Sequence, residues 1–112
     1  MYTIYHNPRC SKSRACLQLL QEAAVPLKIV DYMHQSLSAE LVRRFAAKLG
    51  LAAIVRSNEA VYKEQRLAEA DEETIIQAII DHPQLLQRPI VILGSQMLIA
   101  RPPEKILELL ND

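Results

Sequence analysis

A short run that alternates and is aromatic or β-branched, Tyr2-Thr-Ile-Tyr5, stops at His6-Asn7-Pro8 and gives way to an apolar stripe at helical spacing. Side chains of that kind suit a pleated, half-buried strand, and Asn-Pro is turn chemistry. From Ser11 to Ala24 the residues Leu17, Leu20 and Ala24 repeat at helical spacing, with Cys16, Leu19 and Ala23 widening the stripe. A helix is therefore predicted there. Leu27 to Val30, after Pro26, forms a second short strand. Strand, helix and strand in so little chain make a βαβ unit, which places the chain in the α/β class.

The remainder is legible in the same terms. Ser38 is placed to cap a helix with Glu40 in its first turn, a stripe of Leu41, Val42, Phe45, Ala46 and Leu49, and Gly50 as terminator. Arg56-Ser57-Asn58 interrupts the pattern as a loop, and Ala60 to Ala70 is polar with weak periodicity, either a short helix or irregular. Asp71 caps the next helix, whose acidic Glu72 and Glu73 suit the positive end of its dipole; Ile75, Ile76, Ile79 and Ile80 form its stripe and Pro83 stops it. Ile90 to Leu93 and Gln96 to Ile99 flank Gly94-Ser95, a two-residue loop of the Gly-X type, so they pair antiparallel across a II′ turn. Pro103 opens a last helix buried through Ile106, Leu107, Leu109 and Leu110. The order is βαβ, a helical insertion, then ββα, around a mixed four-stranded sheet in a single domain spanning residues 1–112.

Half of the residues are hydrophobic, enough for a modest core without staples. Lysine plus arginine equals aspartate plus glutamate at 13 each, so no global field draws the chain to nucleic acid or to an anionic membrane. The charges are nonetheless segregated: residues 1–56 carry eight basic and three acidic side chains, net +5, and residues 57–112 carry five and ten, net −5. Solvated helix faces of opposite sign account for such a split. No apolar run approaches the ~18 residues of a membrane span, and the strand-like start does not read as a signal peptide. A cytoplasmic monomer whose two cysteines stay reduced is expected.

Those cysteines differ in setting. Cys10 falls in the turn between strand and helix, where unsatisfied N–H groups and the positive end of the dipole favour thiolate over thiol. Its pKa should drop from ~8.5, helped by Arg9, Lys12, Arg14 and His6 nearby. Cys16 lies inside the helical stripe, roughly 9 Å from Cys10 at helical rise and beyond disulfide reach, so it belongs to the core. Position 13 is serine, which makes Cys10-Ser-Lys-Ser13 a monothiol variant of the CxxC arrangement, dependent on an outside thiol for any redox cycle. A phosphatase-type loop would need arginine where Cys16 stands. Scattered His6, His34 and His82 argue against a metal site. Arg56, Arg88 and Arg101 occupy loop or strand-end positions from which guanidinium forks could grip a tetrahedral oxyanion.

Tyr5-His-Asn-Pro-Arg-Cys-Ser-Lys-Ser-Arg14, Leu67-Ala-Glu69, Arg88-Pro-Ile-Val91 and Ala100-Arg-Pro102 together resemble the glutaredoxin-dependent arsenate reductase family, over residues 2 to about 110. The resemblance implies a thioredoxin-like fold with a helical insertion and a cis proline, Pro89, before the third strand. It implies Cys10 as nucleophile, His6 as a residue that lowers its pKa, and Arg56, Arg88 and Arg101 as oxyanion ligands; Arg14, four residues after Cys10, is a further substrate-binding candidate by its position. In that scheme the thiolate attacks arsenate, glutathione joins the adduct as co-substrate, and glutaredoxin resolves it as arsenite leaves; no bound cofactor is needed. Two other readings stay open. One is a monothiol glutathione-dependent thiol reductase. The other is a regulator like the Spx-type proteins, which share the fold and act on RNA polymerase but usually carry a second cysteine where this chain has Ser13.

Overall fold

In a computed structural model that describes residues 1–111, the chain runs β1 (Tyr2–His6), α1 (Ser11–Glu22), β2 (Leu27–Asp31), α2 (Ala39–Leu49), α3 (Leu51–Ile54), α4 (Ala60–Glu64), α5 (Glu72–Asp81), β3 (Ile90–Leu93), β4 (Gln96–Ile99) and α6 (Leu107–Leu110). Two compact units emerge, one of residues 1–35 with 88–112 and one of residues 36–87. The second is the helical insertion.

The first unit is built on a four-stranded sheet in the order β2-β1-β3-β4. β1 pairs parallel with β2 and antiparallel with β3, and β3 pairs antiparallel with β4. This is the mixed, thioredoxin-like arrangement expected. Ile4 at the centre of β1 faces Ile29 on one side and Val91 on the other. Ile4, Val91, Cys16 and Leu20 from α1, Ala100 and Ile106 are all fully buried in one cluster. Each large aliphatic side chain so buried contributes about 1.5–3 kcal/mol. Gly94 has φ +61 while Ser95 stays at negative φ, the sign pattern of a II′ hairpin. The Arg88–Pro89 bond is cis, as the resemblance implies; Arg101–Pro102 is cis as well, which no local feature of the sequence predicts.

Two expectations need correction here. α1 ends at Glu22, and Ala23 and Ala24 are exposed rather than part of the stripe. Pro26 disfavours helical backbone at Val25, and the chain turns out through Ala24 at φ 56, its N–H donating to the Gln21 carbonyl at 3.0 Å. Leu107 is 42% exposed. The segment Pro103–Ile106 winds as a 3-10 helix before α6 begins, and three residues per turn rather than 3.6 shifts which positions face inward. Ile106 and Leu109 keep the buried face.

The second unit packs α2 on α5. Ser38 Oγ accepts from Leu41 N at 3.1 Å and Asp71 Oδ1 from Thr74 N at 2.8 Å, so both predicted caps form. Val42, Phe45 and Ala46 of α2 are buried, as are Ile75, Ile76, Ala78 and Ile79 of α5. Gly50, at φ +94, ends α2, and the chain coils again as α3. The ambiguous stretch after residue 60 resolves into α4 and a 3-10 turn, Leu67–Glu69, anchored by buried Leu67. No helix among the described residues is long and apolar enough to cross a membrane.

Alanine at a left-handed position carries strain of about 1–2 kcal/mol, against roughly 0.4–1 kcal/mol of extra unfolded-chain freedom for glycine. Ala24→Gly is therefore predicted to stabilise the protein by about 0.5–1 kcal/mol in urea unfolding. A loss of stability would show that the turn does not hold this backbone in solution.

Candidate active site

Topology assembles the site in the first unit. Because β1 and β3 are antiparallel, the end of β1 lies beside the start of β3, with Tyr5 opposite Ile90. Because β3 and β4 form a hairpin, the start of β3 also lies beside the end of β4: Ile90 faces Ile99, and Ala100 N donates to the Pro89 carbonyl at 3.0 Å. The loop leaving β1, which carries Cys10, thus meets Arg88 before β3 and Arg101 after β4. Arg101 Nη1 donates to the Arg88 carbonyl at 3.0 Å and lies 3.7 Å from Cys10 Sγ.

The loop itself is tightly held. Asn7, only 4% exposed, accepts at Oδ1 from Arg9 N at 3.0 Å and at its carbonyl from Cys10 N at 3.0 Å. Ser13 is fully buried in the first turn of α1. Its Oγ accepts from Asn7 N at 3.1 Å and shares a 2.7 Å hydrogen bond with His6 Nδ1. Arg14 Nη1 donates to the Pro8 carbonyl at 2.9 Å and braces the loop from outside.

Cys10 occupies the N-cap of α1, half-buried and unoxidised. The thiol makes no side-chain cap bond, so the first-turn N–H groups remain for a sulfur anion. Burial pushes its pKa up. The Ser13 N–H, the Arg88 side chain, the Lys12 N–H and the Arg101 side chain each pull it down, and together they leave it below the ordinary thiol value. Cys16, fully buried among apolar neighbours, is pushed up to about 12 by desolvation alone. The two thiols are therefore shifted in opposite directions, Cys10 toward the thiolate and Cys16, in the core, away from it.

Burial also lowers the His6 pKa; the Asp31 charge pulls it upward and Arg14 pushes it further down. The downward shift works against a positive charge on His6, whose contact with the Cys10 loop is its bond to Ser13. The role of Ser13 is the feature that sequence reasoning missed. Read along the chain, it was only the absence of a second thiol. A small hydroxyl residue three positions after an N-cap cysteine is the signal that could have pointed to it.

Cys10, His6, Arg14, Arg88, Pro89 and Arg101 come together in the first unit. Arg56 belongs to the second, where Nη1 donates to Gln87 Oε1 at 2.9 Å and Nε lies 3.6 Å from the Glu59 carboxylate. Among the described residues no cluster of three His, Cys, Asp or Glu side chains could hold a metal ion. The first-unit group sets a thiol of lowered pKa beside two guanidinium groups, a combination able to bind a tetrahedral oxyanion and attack it.

Comparison with known proteins agrees with this geometry. The family model described as the ArsC family matches residues 5–109. The chain is 43% identical over 113 residues to the protein YfgD of Escherichia coli K12, covering 96% of this chain and 95% of that one. It is 40% identical over 108 residues, 92% of each chain, to an arsenate reductase of Neisseria meningitidis serogroup A. Among solved structures, an arsenate reductase from Vibrio cholerae superposes with a TM-score of 0.90 at 38% identity, covering 96% of this chain and 95% of that one.

Two outcomes follow from the site. Iodoacetamide near neutral pH should label Cys10 and spare Cys16, with a Cys10 midpoint below the ~8.5 of a free thiol; equal labelling of both would contradict the assignment. Ser13→Ala leaves His6 Nδ1 and Asn7 N–H buried without their partner, so it should destabilise the protein by about 1–3 kcal/mol and raise the Cys10 midpoint. Unchanged stability and midpoint would remove Ser13 from the site.

Proposed function

We propose that this chain, which belongs to the ArsC family, reduces arsenate through the Cys10 thiolate, with Arg88 and Arg101 holding the oxyanion. The observation that carries this reading is the 3.7 Å approach of the Arg101 guanidinium to Cys10 Sγ, with the Arg88 side chain also lowering the pKa of that thiol. An oxyanion drawn to the two guanidinium groups meets the nucleophile at once.

The thiolate attacks arsenic and an oxygen leaves as water, forming an S–As bond. Glutathione displaces a second oxygen and joins the adduct. The glutaredoxin thiolate then attacks the glutathione sulfur; the bond between glutathione sulfur and arsenic breaks, its two electrons stay on arsenic, and a glutathione–glutaredoxin disulfide departs. Water releases arsenite and restores Cys10. Only external thiols can supply these electrons, because Ser13 stands where a second cysteine would act and Cys16 is fully buried. The glutathione requirement fits work in a reducing cytoplasm.

Arsenate reduction with glutathione and glutaredoxin should be measurable for the wild type and abolished in Cys10→Ser. Each charge-assisted hydrogen bond contributes roughly 1.5–3 kcal/mol, so Arg88→Ala and Arg101→Ala should each lower kcat/KM on the order of tenfold to a hundredfold. Wild-type efficiency in both arginine variants, with turnover of glutathione mixed disulfides intact, would replace arsenate reduction by monothiol disulfide chemistry.

A further inference from the structure

We infer that a cavity beside the Cys10 loop is the docking site of the reducing thiol, and that it takes the carboxylate-bearing arm of a small peptide thiol. The inference rests on the proposed external-thiol cycle and adds to it a place and a ligand chemistry. The cavity, a surface groove of about 220 Å³, is lined by Asn7 and Met33 and by exposed Pro8, Arg9 and His34. Its two walls are neighbours for a topological reason: β1 and β2 are parallel with His6 opposite Asp31, so the loops that follow the two strands leave the sheet side by side. The first of those loops continues directly into Cys10.

The backbone of both walls is fixed. Asn7 is tied down by Ser13 and by its own turn. On the other side Asp31 accepts at Oδ1 from Met33 N at 3.1 Å and at its carbonyl from His34 N at 3.1 Å and Gln35 N at 2.9 Å. Asp31 Oδ2 holds His34 Nδ1 at 2.8 Å, which fixes that ring on the second wall. The Arg9 guanidinium has no hydrogen bond or ion pair with any described residue. A planar fork without a partner is the group that recognises a carboxylate bidentately. Pro8 and Met33 supply apolar contact for an aliphatic arm. The volume is below the roughly 300–1,000 Å³ of sites that enclose a whole drug-sized ligand, so it suits one arm of the thiol, with the sulfur left to reach Cys10.

The test needs no arsenate, and its failure is distinct from failure of arsenate reduction. Cys10 thiolate attacks one sulfur of glutathione disulfide, forms the Cys10–glutathione disulfide and releases one glutathione thiolate. Hydroxyethyl disulfide undergoes the same exchange without a carboxylate. Both rates are measured on the full chain for wild type, Arg9→Glu and His34→Glu. Arg9 adjoins Cys10 and its loss can alter the thiol itself, which the neutral disulfide reads out; His34→Glu puts an anion on the wall remote from Cys10 in sequence. Each variant is expected to slow glutathione disulfide about tenfold relative to hydroxyethyl disulfide, the change expected from one charge-assisted contact. If the ratio of the two rates stays at its wild-type value in both variants, or if both disulfides slow together, the cavity does not dock the thiol. A fall in the ratio for Arg9→Glu alone would confine the effect to local charge and also overturn the site.

Discussion

Burial of the Cys10 sulfur opposes its ionisation, and the surrounding structure outweighs that opposition with four donors. Two are backbone N–H groups of the first turn of α1, and two are the guanidinium groups of Arg88 and Arg101. None suffices by sequence position alone. The N–H groups face the sulfur because Cys10 is the N-cap of α1. The arginines arrive because an antiparallel hairpin returns the chain to the same end of the sheet from which β1 emerges. Fixed cations raise the fraction of a half-buried thiol that is thiolate, so the arrangement that would hold an oxyanion under the proposed function is the one that sets the protonation state of Cys10.

Holding a loop at such a site requires satisfying its own polar groups. Ser13 does this with one buried hydroxyl, bonded to the Asn7 N–H and to His6 Nδ1. The position that carries a second sulfur in dithiol relatives of the CxxC arrangement is here a structural brace. One residue therefore fills the first turn of α1 and ties the Cys10 loop to the end of β1.

Much of this was legible in the sequence because it rests on local rules. Gly94-Ser95 between two β-rich runs specified the hairpin, and the Ser38 and Asp71 caps specified two helix starts. The place of Cys10 before a helix and of Cys16 within its stripe separated the two thiols. What escaped depends on through-space pairing or on exact helical phase. The 3-10 winding of Pro103–Ile106 turned Leu107 outward, and left-handed Ala24 cut α1 short. The meeting of Ser13 with His6 joins a helix turn to a strand end, and the cavity between residues 7–9 and 33–34 follows from the register of β1 on β2. Neither relation has a period or a motif that a linear reading can detect.

The central claim is that two guanidinium groups and a helix N-terminus outweigh burial at Cys10. The most direct measurement is a pH titration of thiolate ultraviolet absorbance in a Cys16→Ala background, with and without the double substitution Arg88→Gln and Arg101→Gln. With both arginines present the midpoint should lie below the ~8.5 of a free thiol, and without them it should rise toward or past that value. A midpoint at or above the free-thiol value with both arginines present, or one that the double substitution leaves in place, would contradict the claim.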